Sequence, residues 1–210
     1  VTETSPSDAE LLAAWADRDQ EAGRTLVERH FAIVCRFFQS KLMPDVEDLV
    51  HQTFMAALAQ VERFRGEGSF RGYLLGIARR QMWNRFRKDR REAAALAKQD
   101  LSIEQLQGTP SAALQARDER TLLLQSLRRI PVDAQVVIEL HYWEGMSMVE
   151  IGDVLEIPPG TVKSRLSTAR AQLREQIARA DVDRELVAST LQDLDQWARG
   201  VRDLATGRDP

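Results

Sequence analysis

Apolar residues return every third or fourth position along almost the whole chain, and runs alternating with period two are missing. Helices are then the way to bury those residues, so the sequence predicts an all-α protein. Ser7-Asp-Ala-Glu10 has capping-box spacing, in which hydroxyl and carboxylate satisfy orphan backbone donors, and a first helix is expected from there through Trp15. A second is expected from about Gln20 to Lys41, with Leu26, Val27, His30, Phe31, Val34, Phe37 and Phe38 on its apolar face. Pro44-Asp45 starts a third, carrying Val46, Leu49, Val50, Phe54, Ala57, Leu58 and Val61 on one side. The short loop Arg65-Gly-Glu-Gly-Ser69 leads into a long fourth helix that ends near Arg91.

Periodicity fades after Ala93, and Gly108-Thr-Pro110 marks a linker, with a helical turn expected near Ile103 to Leu106. It resumes from Leu114 to Arg129, breaks at Pro131, and continues from Val132 to Trp143. Ser147-Met-Val-Glu150 is a second capping box, opening a short helix to about Leu155. Ile157-Pro-Pro-Gly160 separates it from a longer basic helix reaching about Ile177, which is the pattern of a helix-turn-helix. The expected architecture is two small helical domains, 8–92 and 114–178, joined by a linker at 93–113. The second is the helix-turn-helix, and an amphipathic C-terminal helix lies within 181–210.

Charge separates the chain further. The net charge of −3 conceals segments of −5 over residues 1–61, +6 over 62–92, −5 over 93–160, +4 over 161–179 and −3 over 180–210. Two short basic blocks in an acidic chain suit two separate polyanion contacts, because phosphate neutralisation depends on local Lys and Arg clusters. No apolar run approaches the ~18 residues of a membrane span. Val1 to Asp8 has neither the basic start nor the apolar stretch of a signal peptide, so a cytoplasmic location is expected. Cys35 stands alone and His30, His51 and His141 are scattered, giving neither a disulfide nor metal-ligand spacing. With no Gly-rich phosphate loop, nucleophile elbow or clustered triad, no catalytic residue, cofactor, metal or enzymatic activity is expected.

On a helical wheel Val162, Leu166, Ala169, Leu173 and Ile177 share one stripe, and Lys163, Ser164, Ser167, Ala171 and Arg174 lie opposite. The free face offers a cation for guanine acceptors, hydroxyls and a small residue, with Arg165 and Arg170 flanking for phosphates. In the first basic block, Phe70, Tyr73, Leu74 and Ile77 form the core stripe of the fourth helix. Trp83 falls on the other side, near Arg79, Arg80, Arg87 and Arg90. There it either packs against the first two helices or stacks on unpaired bases. The polar loop from Arg65 to Phe70 is suited to pocketing a flipped base.

Three segments occur in order: Asp45-Val-Glu-Asp48-Leu-Val-His51-Gln52-Thr-Phe54, then Arg63 to Arg79, then Pro158-Pro-Gly-Thr161-Val-Lys-Ser-Arg165-Leu. Together they resemble the extracytoplasmic-function sigma factors of bacteria, over about residues 8 to 178. The resemblance implies a promoter-melting domain and a domain binding the minus-35 element, on a factor that joins core RNA polymerase and performs no nucleotidyl chemistry itself. It implies minus-10 work for Arg65, Ser69, Phe70, Arg79, Arg80, Trp83 and Arg87, and minus-35 contacts for Lys163, Ser164, Arg165, Ser167, Thr168 and Arg170. Contacts to the polymerase clamp fall on Asp45, Asp48, His51 and Gln52. Core RNA polymerase and promoter DNA are thus the implied partners.

The chain departs from the family pattern at His51-Gln52, at Gly72-Tyr73, and at Gly152 and Glu156 in the helix-turn-helix. Gly152 is expected to weaken its helix by about 1 kcal/mol relative to Ala. A stand-alone helix-turn-helix regulator, with an N-terminal domain for a partner or ligand, is the alternative. In the tail, Val187, Leu191, Leu194, Ala198, Val201 and Ala205 recur at steps of four and three, beside Leu186, Trp197 and Leu204. Such a stripe is costly to leave in water. The two domains, an anti-sigma factor or the polymerase are candidates to cover it, with docking that restrains the two domains the favoured one and a plain extension of the second domain's core equally open.

Overall fold

The computed structural model describes residues 6–41, 43, 45–59, 69–89, 102–103 and 119–192. Four helices form the first domain: α1 (Asp8–Ala16), α2 (Gln20–Gln39), α3 (Val46–Ala59) and α4 (Phe70–Asp89). The second is built from α5 (Glu119–Arg129), α6 (Val132–Ile138), α7 (Met148–Leu155), α8 (Pro159–Ala178) and α9 (Arg184–Gln192). Both capping boxes form, Ser7 with Glu10 and Ser147 with Glu150. None of the described helices is long and apolar enough to cross a membrane.

α4 lies at the centre of the molecule, packed against α2 and α3 on one side and α7 on the other. Leu26, Val34 and Phe38 of α2 and Leu74 and Ala78 of α4 are fully buried, and the buried apolar residues of the two domains join in one cluster. Phe31 departs from its expected place and is 46% exposed, while Ile33, outside the expected stripe, is buried. Val61 lies outside the described residues. His30 is buried, its Nε2 2.8 Å from Asp8 Oδ2 and its ring edge-on to Phe70.

Burial holds the His30 imidazole below the usual histidine pKa, against the opposing pull of Asp8. The unfolded chain therefore takes up a proton first as pH falls, and this group favours folding above about pH 6.5, an advantage lost on acidification. Thermal unfolding from pH 7.5 to 5.5 is expected to show a falling midpoint with a steeper slope than in His30→Gln. Parallel slopes for the two proteins would count against this role of His30.

The second domain holds two surprises. Beyond Ile138, α6 widens into a π turn over Glu139–Trp143 rather than running straight to Trp143. Glu144 N–H bonds Glu139 O at 3.1 Å and Met146 N–H bonds Leu140 O at 3.0 Å, with Gly145 at a φ of +61° closing the turn. Within the expected linker, Ser102 pairs as an antiparallel bridge with Pro131 and Ile103 is fully buried. The linker is thus pinned to the second domain at this point. Residues 114–118 of the expected helix start lie outside the described residues.

The described part of the tail, α9, rests on α5 and α8, with Leu186, Val187 and Leu191 half-buried against the core. It extends the second domain rather than bridging the two. The rest of its predicted stripe, from Leu194 onward, lies outside the described residues.

Candidate nucleic-acid interface

α8 begins with Pro158 as N-cap and Pro159 as the first helical residue, whose missing N–H would have been an orphan there. Its buried residues are Val162, Leu166, Ala169, Leu173 and Ile177, the stripe expected from the wheel. Lys163, Ser164, Ser167, Thr168, Ala171 and Arg174 are exposed, whereas Arg165 and Arg170 are half-buried at the flanks. The Ser164 hydroxyl donates to Thr161 O at 2.9 Å, which leaves its oxygen facing outward as an acceptor. A groove of about 260 Å³ runs along this face, walled by Asp133 and Ala134 of α6 and by Ser164, Arg165 and Thr168.

The turn before α8 is unusually tight. Glu156 adopts the left-handed region at φ 57°, and Ile157 N–H bonds Gly152 O at 3.0 Å. A Cβ on Gly152 would stand 2.7 Å from Ile157 O. The expectation that Gly152 only weakens α7 is therefore corrected: the close approach of the turn requires it.

The basic fourth helix is arranged differently from its expected form. Ser69 caps α4, its Oγ accepting from Gly72 N–H at 3.1 Å. Phe70 is 2% exposed and Trp83, edge-on to Phe86 at 5.9 Å, is 6% exposed, so neither side chain is presented to a base. A single buried stripe was the wrong geometry for a helix flanked on two sides, where Leu75, Met82, Trp83 and Phe86 are buried as well as Leu74 and Ile77. The Arg79 guanidinium, with its side chain 12% exposed, pairs with Asp133 at 3.2 Å. Arg80 is exposed and pairs with Glu156 at 3.4 Å. Arg87 is exposed and donates to Asn84 Oδ1, and exposed Lys88 beside it was missed, although its place in the same basic run could have drawn attention to it. Arg65 lies outside the described residues.

On α3, Asp48, His51 and Gln52 share an exposed face, where Gln52 Nε2 donates to Asp48 Oδ2 at 2.6 Å. Met55 continues that face one turn on and is 51% exposed. The sequence reading missed it, though its i+3, i+4 and i+7 relation to the other three was legible. Asp45, with φ 54°, stands before the helix and pairs with Arg85 of α4 at 3.2 Å.

Comparison with known proteins gives two family matches, Sigma-70 region 2 over residues 25–92 and Sigma-70 region 4 over residues 120–173, together more than half of the chain. The RNA polymerase sigma factor NccH of Alcaligenes xylosoxydans xylosoxydans is 32% identical over 176 residues, covering 81% of this chain and 95% of that protein. The ECF RNA polymerase sigma-E factor of Escherichia coli K12 is 25% identical over 171 residues, 76% of this chain and 88% of the relative. Among solved structures, CnrH in complex with the cytosolic domain of CnrY superposes with a TM-score of 0.61 at 26% identity, covering 82% of this chain and 99% of that one. The sigma factor RpoE of Bartonella quintana, solved with the anti-sigma factor NepR, shares the fold with a TM-score of 0.54 at 22% identity, over 74% and 96% of the two chains.

Proposed function

The chain belongs to the extracytoplasmic-function RNA polymerase sigma factors, which direct promoter-specific transcription initiation, and from that membership we propose how its surfaces divide the work. The exposed face of α8 reads the minus-35 element. Lys163, Ser164, Ser167 and Thr168 meet base edges, and Arg174, exposed one turn beyond half-buried Arg170, takes a phosphate. The exposed face of α3, with Asp48, His51, Gln52 and Met55, docks on the polymerase clamp. The start of α4, Arg79, Arg80 and Arg87 serve the minus-10 element, and the chain has no chemistry of its own.

The observation that carries this reading is the division of α8 into a core stripe and an exposed polar face behind a tight helix-turn-helix turn. A large cation beside two hydroxyls near the helix start suits a groove edge, and backbone contacts alone would not need that selection. In a promoter-library selection with core polymerase, Lys163→Ala is expected to change the preferred minus-35 bases, with about 1–3 kcal/mol of discrimination lost at one position. Arg174→Ala is expected to weaken all sequences alike. Equal loss across the library for both variants would remove Lys163 from base reading. A protein partner of the kind CnrY is for CnrH is a further proposal, supported by the likeness to that complexed chain.

A further inference from the structure

Beside the apolar cluster they share, the two domains meet through charge. At the centre, Lys41 Nζ lies 2.5 Å from Glu139 Oε2 and donates to Phe37 O and Ser40 Oγ, each at 2.9 Å. Both side chains are almost wholly buried, and Gln135 Nε2 donates to the other Glu139 oxygen at 2.6 Å. Around this centre stand Arg36 with Glu144 at 3.1 Å, Arg79 with Asp133 at 3.2 Å, Arg71 with Glu150 at 3.5 Å and Arg80 with Glu156 at 3.4 Å. In all five pairs the cation belongs to the first domain and the carboxylate to the second. Glu139 and Glu144 are the two ends of the π turn, whose wider backbone sets both carboxylates toward α2. Gly72 and Gly76 of α4 admit α7: a Cβ on Gly72 would already touch Met146 and Val154 at 3.6 and 3.7 Å, and one on Gly76 would lie 3.9 Å from Val154 O.

We propose that this interface is a charge latch that holds the factor closed, with Asp133 and Glu156 of the minus-35 domain standing where promoter phosphates would meet Arg79 and Arg80. The occlusion of DNA rests on the proposed role of those arginines, whereas the latch itself does not. A buried ion pair is poor glue, because the attraction inside the protein offsets only part of what removing both ions from water costs. Opening the domains returns Lys41 and Glu139 to water, which offsets part of the cost of exposing the apolar cluster they share, so the closed state is held less firmly than its buried area implies although it depends strongly on each partner. A wholly apolar contact of the same shape would be harder to open. The latch therefore acts as a switch that polymerase or promoter can release.

That argument gives two substitutions opposite signs. Glu139→Gln leaves Lys41 buried without its counter-ion and is expected to shift the chain toward the open form about a hundredfold or more. The double variant Lys41→Met, Glu139→Leu keeps the shape of the contact without buried charge and is expected to stay closed. Small-angle scattering on the full chain reads the domain separation directly. Binding of a labelled promoter duplex and run-off transcription with core polymerase read the consequence. The result expected is an expanded Glu139→Gln protein with faster amide exchange in α4 and α7 and at least tenfold stronger DNA binding, beside a compact double variant with reduced initiation. Should Glu139→Gln lose its helical circular dichroism, Asp133→Asn with Glu144→Gln, at the edge of the interface, decides instead, with about a tenfold shift expected. Unchanged scattering and exchange in the deciding variant overturn the latch. Opening without a gain in DNA binding overturns the occlusion, and with it the assignment of Arg79 and Arg80 to promoter DNA.

Discussion

Asp48→Lys is expected to lower run-off transcription with core RNA polymerase by thirtyfold or more while leaving the thermal midpoint of the free protein nearly unchanged. Asp48 is exposed on α3 and makes its hydrogen bond to Gln52 on the same face, so no core contact depends on it. In the proposed docking an acidic side chain here would face a clamp surface of opposite sign, and reversal would set like charges together, at a cost of several kcal/mol. Even about 2 kcal/mol of this is the thirtyfold effect. In the proposed docking Met55 beside it would supply the apolar part of the contact, and Met55→Ala is expected to weaken assembly more mildly. Co-purification of the Asp48→Lys chain with core polymerase at normal affinity would show that α3 is not the docking face.

Gly152→Ala is expected to destabilise the second domain by about 1–3 kcal/mol, the range of an overpacked site, and to lower minus-35 binding with it. A helix-propensity argument alone predicts the opposite, a gain of about 1 kcal/mol. The contact at 2.7 Å is to a backbone oxygen, Ile157 O, which has no rotamer to move into, so the clash displaces the turn and with it the start of α8. Glu156→Gly tests the same turn from the other side. It removes the crowding of a left-handed non-glycine residue and is expected to stabilise by about 1 kcal/mol, the loss of the exposed pair with Arg80 being worth less. Urea unfolding of both variants gives the two signs, and a stabilised Gly152→Ala would mean that the turn relaxes freely.

Elements whose ends carry local chemistry were legible. Ser7 with Glu10, Ser147 with Glu150 and Pro159 at the head of α8 are signals contained within a few residues, and the apolar stripe of α8 emerged residue for residue. Burial decided by distant neighbours was not. Trp83 fell outside the one stripe a wheel gives α4, and only the structure, with α2 and α3 on one side of that helix and α7 on the other, shows it buried. The π turn likewise has no marker in Glu139 to Trp143, since its widened backbone serves contacts with Lys41 and Arg36, about a hundred residues away in sequence. The faces proposed for DNA and polymerase were legible as charge and spacing, but the pairing of Arg79 and Arg80 with the second domain's carboxylates was not, because Asp133 and Glu156 carry no local signal of an arginine partner.

The burial of Ile103 and the bridge from Ser102 to Pro131 fix the connection between the domains at one point, which sets two limits on its reach. While Ile103 stays buried, the sequence between Asp89 and Ser102 limits the separation of the domains to at most about 45 Å. With Ile103 released, the sequence from Asp89 to Glu119 would set that limit at roughly 100 Å, at the cost of exposing a buried side chain, about 1.5–3 kcal/mol. On the proposed DNA roles, promoters whose two elements fall within the short reach would be bridged without that cost. More widely spaced ones would bear it, and the anchoring of one isoleucine would then weigh on promoter spacing.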